Sequence, residues 1–253
     1  PELYARCRSE ALSAFGLDTV YAERLVKRAR HIEVQILGDG QQVVALGERD
    51  CTLQRRFQKV VEIAPSPVLR PELRAEILQA AQTLAAQVHY QSLGTFEFLV
   101  EEEEDGSQSG FVFIEANPRL QVEHTITEQV TGLDLVALQI QLASGRNLAA
   151  LGINPQDPPR SQGYAIQVRV TAESTDAQGM ARPAHGSLQR FDPPSGPDVR
   201  VDTHAYSGYA PAPAFDTLLA KLIVSSPDAN FASVVQRLRR SLAEFRIVGI
   251  PSN

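Results

Sequence analysis

Two apolar segments of this chain carry charge where a strand is normally dry. In GTFEFLV (94–100), Glu97 stands between Phe96 and Phe98. FIEANPRLQVEH (113–124) runs from an apolar stretch straight into Glu115, Asn117 and Arg119, followed by Gln121, Glu123 and His124. Buried charge is costly unless it is paired or bound. Any fold for this chain must therefore bring these groups to one another or to a charged ligand. Side chains alternate along a strand, which puts Glu115, Asn117 and Arg119 on one face if the strand extends that far. Two carboxylates on paired strands repel unless a cation lies between them. Hard oxygen ligands suit Mg²⁺ or Mn²⁺, and Mg²⁺ is usually held by one or two carboxylates plus substrate phosphates. The alternative is that Glu97 and Glu115 form structural ion pairs with Arg119 and Lys59.

The surrounding pattern is mixed α+β, with runs of strands between helices rather than strict βαβ alternation. A helix is expected over 1–16, with Leu3, Cys7, Leu12 and Phe15 roughly on one face. Short β-rich runs follow at TVYAERLV (19–26), HIEVQILG (31–38), QVVALGE (42–48) and QKVVEIA (58–64), the last ended by Pro65 and Pro67. HIEVQIL alternates with period two, so one face is buried and the other available. GDGQQ (38–42) supplies hairpin turn residues. Residues 71–88 form the clearest amphipathic helix, with Pro71 suited to its first turn. The EEEEDGSQSG run between GTFEFLV and GFVFIEA (110–116) reads as a solvated hairpin loop. One or two helices are expected over 125–144, ending at Gly145. Past the Pro-rich NPQDPPRSQG (154–163), strands are expected in GYAIQVRVTAE, GSLQRFD, DVRVDTH and TLLAKLIV, and a helix over 229–245.

Composition bounds the function class. At 253 residues and 43% hydrophobic, the chain has room for one large domain or two smaller ones. A net charge of −6 gives no general reason to expect nucleic acid or an anionic membrane as partner. A bound anion therefore needs a local cluster of cations. Cys7 and Cys51 are far apart and lack CxxC spacing, which argues against a disulfide framework or zinc site. No apolar stretch approaches the ~20 residues of a membrane helix. The N-terminus has no signal-peptide core; the missing initiating Met and an end, GIPSN, just after an apolar run suggest a piece of something longer.

Further cation-bearing segments are ambiguous singly. GERDCTLQRRFQKVVE (47–62) is either a solvated cationic patch or, with Lys59 at the head of a strand, an anion site. In AIQVRV (165–170), Arg169 needs an anionic partner or an anionic reacting group if it faces inward. His31 is a weak signal, better read as solvent-facing.

GERDCTLQRRFQKVVE, GTFEF, FIEANPRLQVEH and FDTLLAKLIV (215–224), in this order and spacing, resemble the biotin carboxylase component of biotin-dependent carboxylases. These are ATP-grasp enzymes shared by acyl-CoA, pyruvate and urea carboxylases, and the resemblance runs from about Thr19 to Asn253. It implies the C-terminal half of the ATP-grasp fold, built on an antiparallel sheet. Residues 1–25 would end the lid domain, 26–152 form the catalytic subdomain and 161–253 the biotin carboxylase C-terminal α/β subdomain. By resemblance, Glu97, Glu115 and Asn117 hold the metal ions that bridge the phosphates of ATP. Arg119, Gln121 and the backbone of Val122 match the bicarbonate pocket, and Glu123 matches the base that deprotonates bicarbonate. Lys59 matches a lysine near bicarbonate and the transferred phosphoryl group. Arg169 matches the arginine assigned to the biotin enolate. Gln54, His31, Leu99 and the backbone around Arg24 and Val26 match nucleotide-contacting positions.

The implied activity is ATP- and bicarbonate-dependent carboxylation of biotin through carboxyphosphate. The biotin would be borne by a carrier domain elsewhere, because Met180 is followed by Ala181 rather than by a carrier lysine. A carboxyltransferase in the same polypeptide or as a subunit, homodimer contacts through the C-terminal subdomain, and a cytoplasmic setting with a mitochondrial one left open are further implications. The sequence departs from the pattern at Phe57, where Asn or His is usual and a hydrogen bond near the nucleotide is lost. Arg24 replaces a frequent Lys, and AEST (172–175) replaces AED. The glycine-rich phosphate loop of the family would precede residue 1, so these residues alone would be inactive. Weighed beside this are another ATP-grasp ligase of the carbamoyl-phosphate synthase kind and a non-catalytic assembly module.

Overall fold

The computed structural model describes residues 2–177, 180–212 and 216–253; Phe215 of the FDTLLAKLIV motif lies outside the described residues. Helix α1 (Glu2–Phe15) is followed by β1 (Ala29–Asp39), β2 (Val43–Arg55) and β3 (Gln58–Ala64). Helix α2 (Pro71–Gln87), strands β4 (Gln91–Glu102) and β5 (Gln108–Asn117), and helices α3 (His124–Thr131) and α4 (Leu135–Ala143) come next. After a 3₁₀ turn at Ala149–Leu151 come β6 (Tyr164–Thr171), β7 (Glu173–Thr175), β8 (Ala181–Pro183), β9 (Arg190–Asp192), β10 (Val199–Thr203) and β11 (Leu218–Ser226). Helix α5 (Phe231–Glu244) and β12 (Arg246–Val248) close the chain. Eight strands form one antiparallel sheet in the order β10-β11-β6-β3-β2-β1-β4-β5.

The period-two alternation of β1 explains how this sheet is buried and where its polar face lies. Ile32, Val34 and Ile36 pack with Phe96, Phe98 and Val100 of β4 against Leu73, Ile77, Ala81 and Ala85 of α2. The intervening His31, Glu33, Gln35, Thr95 and Glu97 therefore face the opposite side. Beyond them, Leu37, Val44, Leu46 and Leu93 form a second core under α4 with Leu135, Leu138 and Leu142. Burying one such aliphatic side chain contributes about 1.5–3 kcal/mol. These two cores clamp the sheet from both faces and leave a polar window between them. Pro71 occupies the first turn of α2, as its position suggests. The Asp39 carboxylate closes the β1–β2 turn by accepting from the Gln41 and Gln42 amides at 2.9 and 2.7 Å.

Several sequence expectations are corrected. Residues 19–26 form no strand: Tyr21 and Leu25 are exposed, and among the described residues no neighbouring segment supplies the ladder that a strand needs. Helix α1 exists but buries none of its residues, so Leu3, Cys7, Leu12 and Phe15 cover nothing. β5 stops at Asn117, so Arg119 is carried by the following loop rather than by the strand. GYAIQVRVTAE is two strands, β6 and β7, and GSLQRFD is extended only over its last three residues.

Candidate active site

The site is built on one row of strand partners. Glu97 lies opposite Glu33 on β1 and opposite Glu115 on β5, and Glu33 lies opposite Arg49 on β2. Three carboxylates and a guanidinium thus line up across four adjacent strands. A bulge after Glu97 in the β4–β5 ladder sets Phe98 opposite Phe113 while Glu115 stays opposite Glu97. Such bulges re-aim a side chain next to functional sites. The Asn117 amide nitrogen bridges the outer pair, 2.9 Å from Glu97 Oε1 and 2.8 Å from Glu115 Oε1. The two carboxylates brought together there offer oxygen ligands that suit a hard divalent cation. Among the described residues, two further groups have their donor atoms within 4.8 Å of one another: His31, Glu33 and Glu97, and Glu33, Cys51 and Glu123.

Next to this row sits a cation shared by three acids. Lys59 Nζ lies 2.6 Å from Glu33, 2.7 Å from Glu123 and 3.2 Å from Glu97. Burial alone would lower the Lys59 ammonium, but Glu33 and Glu123 overcome it and hold the pKa well above its ordinary range. Lys59 therefore serves as a fixed positive charge. Glu97 is held at about 2: burial would raise it, and hydrogen bonds from His31 and Gln121 with the Lys59 charge more than reverse that. The Cys51 thiol is pushed up by burial and by Glu33, so it is no thiolate nucleophile.

His31 faces this site rather than solvent. Its Nε2 lies 2.5 Å from Glu97 Oε2, and Gln54 Nε2 lies 2.8 Å from its Nδ1. With Gln54 donating to Nδ1, the ring presents its Nε2–H to Glu97. The ion pairs expected as a structural alternative are half present: Glu97 pairs with Lys59, whereas Arg119 makes no ion pair among the described residues. Arg119 is exposed at the cleft, an open guanidinium beside the carboxylate row.

On the other flank, Arg169 reaches Glu62 at 2.6 Å and Glu123 Oε2 at 3.0 Å. Burial raises the Glu62 carboxyl to about 7, the Glu123 charge adds to this, and Arg169 offsets only part of it. An arginine does not give up its proton, so Glu62 is the member of this pair that titrates.

One open cleft of about 440 Å³ takes in Lys59, Glu97, Glu115, Asn117, Arg119, Gln121, Val122, Glu123 and Arg169, with the fully buried Glu33, Cys51 and Glu62 lying behind its wall. A second cleft of about 710 Å³ adjoins it, with Arg24, Val26, Leu99 and Val112 joining His31 and Gln54. Arg24 is tied to Glu101 of β4. Phe57 borders both clefts and is 97% exposed. Every site residue singled out from the sequence thus lies in one of two neighbouring clefts.

Sequence reasoning missed three residues. Glu33 had a signal, because the alternation of HIEVQIL sets it on the face of His31. Arg49 is completely buried and holds Glu33, Gln35 (2.7 Å), Thr127 (2.9 Å) and Thr95 (3.2 Å). Glu62 had no signal, since its partner lies 107 positions away.

A large antiparallel sheet with carboxylates on adjacent strands and a fixed lysine beside a cleft is the architecture of the ATP-grasp fold. Residues 1–151 match the family model "Carbamoyl-phosphate synthase L chain, ATP binding domain", and 167–253 match "Biotin carboxylase C-terminal domain". The chain belongs to the biotin carboxylase family. It is 44% identical to a biotin carboxylase of Nostoc, over 99% of this chain and 54% of that one. It is 47% identical to a pyruvate carboxylase of Bacillus subtilis, over 100% of this chain and 21% of that one. Among solved structures, the biotin carboxylase domain of a single-chain bacterial carboxylase aligns with a TM-score of 0.82 at 46% identity, covering 97% of this chain and 53% of that one. The biotin carboxylase domain of Hydrogenobacter thermophilus 2-oxoglutarate carboxylase, solved as a dimer with MgADP, ADP and bicarbonate, aligns with a TM-score of 0.88 at 38% identity. That alignment covers 99% of this chain and 53% of that one. The chain spans about half the length of the biotin carboxylase it matches and about a fifth of the pyruvate carboxylase.

Proposed function

We propose that this chain supplies the catalytic floor of a biotin carboxylase, an ATP-dependent ligase that carboxylates biotin with bicarbonate. The observation that carries the reading is the juxtaposition of two half-sites. The Glu97–Glu115–Asn117 set adjoins the Lys59–Glu123–Arg169 cluster in a single cleft. Glu97, Glu115 and Asn117 would hold Mg²⁺ or Mn²⁺, whose contribution there is neutralisation of phosphate charge. ATP would lie along the adjoining cleft, with His31, Gln54, Leu99, Arg24 and Val26 around the nucleoside. Bicarbonate would be held by Arg119, Gln121 and the Val122 backbone, and Glu123 would accept its proton as its oxygen attacks the γ-phosphorus and ADP leaves. The product is carboxyphosphate, which breaks down to CO₂ and phosphate. Lys59 balances charge on the transferred phosphoryl group. Arg169 stabilises the enolate of the biotin that takes up CO₂.

The same reading assigns 1–25 to the end of a lid domain, 26–152 to the catalytic subdomain and 161–253 to a C-terminal subdomain that also carries homodimer contacts. Biotin would arrive on a carrier domain and pass its carboxyl group to a carboxyltransferase, in a cytoplasmic setting. The dimeric 2-oxoglutarate carboxylase domain and the single-chain, multi-domain long-chain acyl-CoA carboxylase among the similar structures support these partners. The phosphate-gripping lid is assigned to sequence outside these 253 residues, so the isolated chain is expected to be inactive.

The test is bicarbonate-dependent phosphate release from ATP by the full polypeptide carrying this sequence, with and without free biotin. Biotin-stimulated release that falls by about a hundredfold in Glu115→Gln is expected, because one of two metal carboxylates loses its charge. The match of 1–151 to a carbamoyl-phosphate synthase model favours a second reading, another ATP-grasp ligase, and release that ignores biotin but requires an amine would select it. No release from well-folded protein would select the non-catalytic assembly module.

A further inference from the structure

Lys221 lies in the interior of β11, where its side chain is only 12% exposed. A buried ammonium is costly without partners, and a strand interior at this place would otherwise take an apolar residue. Its ionic partner Asp202 Oδ2, on the facing position of β10, stands 3.4 Å away. The shorter contact is to a neutral group: Nζ donates to the carbonyl oxygen of Val122 at 3.1 Å. That carbonyl belongs to the loop between β5 and α3, 99 positions away in sequence.

The residue opposite Lys221 on β6 is Arg169, whose guanidinium reaches Glu123 Oε2 at 3.0 Å. Neighbouring strands thus grip consecutive residues of the loop, one through its backbone and one through its side chain. A peptide unit is planar, so fixing the Val122 carbonyl fixes the plane that also carries the Glu123 amide. Asp202 is in turn locked by Arg200, at 2.7 and 2.9 Å, and Arg200 also reaches Glu128 of α3 at 2.7 Å. Burial lowers the Lys221 ammonium, and Asp202 only partly restores it.

We propose that Lys221 is a positioning residue that holds the Val122–Glu123 peptide, and through it aims the Glu123 carboxylate between Lys59 and Arg169. This rests on the reading of that loop as the bicarbonate pocket. It assigns to β11 a part in bicarbonate recognition that no charged contact with the anion would reveal.

The test uses the full polypeptide and two readouts. In Lys221→Met, which keeps the stem but removes the donor, amide exchange at 121–124 is expected to rise about tenfold while β6 and β11 stay protected. In Lys221→Gln, which keeps a neutral donor, exchange should fall between wild type and Lys221→Met. In Asp202→Asn, which spares the carbonyl contact, the same amides should stay within about twofold of wild type. In phosphate-release assays, Lys221→Met should raise the KM for bicarbonate about tenfold and leave the KM for ATP unchanged. Unchanged exchange at 121–124 in the Lys221 variants would overturn the proposal. So would an equal rise in Asp202→Asn, which would make Lys221 a counter-charge only. A wild type that shows no bicarbonate-dependent release, with the exchange pattern as expected, would remove the carboxylase reading and leave the positioning role standing.

Discussion

Glu62 is where burial and pairing pull hardest against each other. It is fully buried, it faces Arg169, and it still keeps its proton to about pH 7 because burial and the nearby Glu123 outweigh the guanidinium. In the unfolded chain the same carboxyl ionises near its ordinary 4.5. Between these values the native state holds a proton that the unfolded state has lost. Its contribution to stability is therefore fully present below 4.5 and falls as pH rises through 7, by roughly 1 kcal/mol per unit. Urea unfolding at pH 5 and pH 8 should show the wild type losing about 2 kcal/mol more over this interval than Glu62→Gln. Equal losses would mean that Glu62 is already ionised at pH 5. Lys59 behaves in the opposite way, since three carboxylates keep it charged throughout the accessible range. Both residues stand in the same short strand, and nothing local in QKVVEIA separates their behaviour. The difference lies in what the fold sets against them: acids of β1, β4 and the loop before α3 around Lys59, and Arg169 of β6 beside Glu62.

At the scale of elements, the β2–β3 hairpin is the place where local sequence and local structure disagree. Arg55 pairs with Gln58, leaving a two-residue turn of Arg56 and Phe57 with φ of 51° and 66°. Two consecutive positive φ values define the turn type that favours Asn-Gly, and neither residue here is suited to it. The base of the turn is anchored instead by Arg55, which pairs with the buried Glu173 at the start of β7. Backbone strain of this kind tends to be kept at functional sites. Replacing Phe57 by Asn, a residue at ease in the left-handed region, should stabilise the protein by about 1 kcal/mol in urea unfolding. Because Phe57 borders both clefts, the same change should also alter nucleotide affinity, measurable by calorimetry. No gain in stability would show that the ring makes up for its backbone. The turn itself was not legible in RRFQ, which has no Gly or Asn, whereas the β1–β2 turn was plain in GDGQQ.

For the whole molecule, stability is unevenly spread. The sheet and its covering helices hold the buried cores, while α1 and residues 17–26 bury little and leave Leu3, Phe15, Leu17, Tyr21 and Leu25 exposed. A 14-residue helix without tertiary packing is marginal in water. In hydrogen exchange of this 253-residue chain, amides 2–26 should exchange within the earliest times, and β1 and β4 should be among the last. Slow exchange over 2–26 would require a cover for those apolar side chains. The sequence by itself determined the elements whose periodicity is local: the alternation of HIEVQIL and GTFEFLV, the helix behind Pro71, and the polar face that Glu97, Glu115 and Asn117 share. It also carried the order of motifs that marks the family. Only the tertiary structure decided that TVYAERLV has no partner strand, that Arg119 stands off the strand end, and that His31 turns inward. The same holds for Glu33 beside Lys59, Glu62 beside Arg169, Arg49 behind Glu33 and Lys221 under the Val122 carbonyl. Pattern and propensity act over a few residues, whereas a buried charge is defined by whatever the fold sets against it from 16 to 107 positions away.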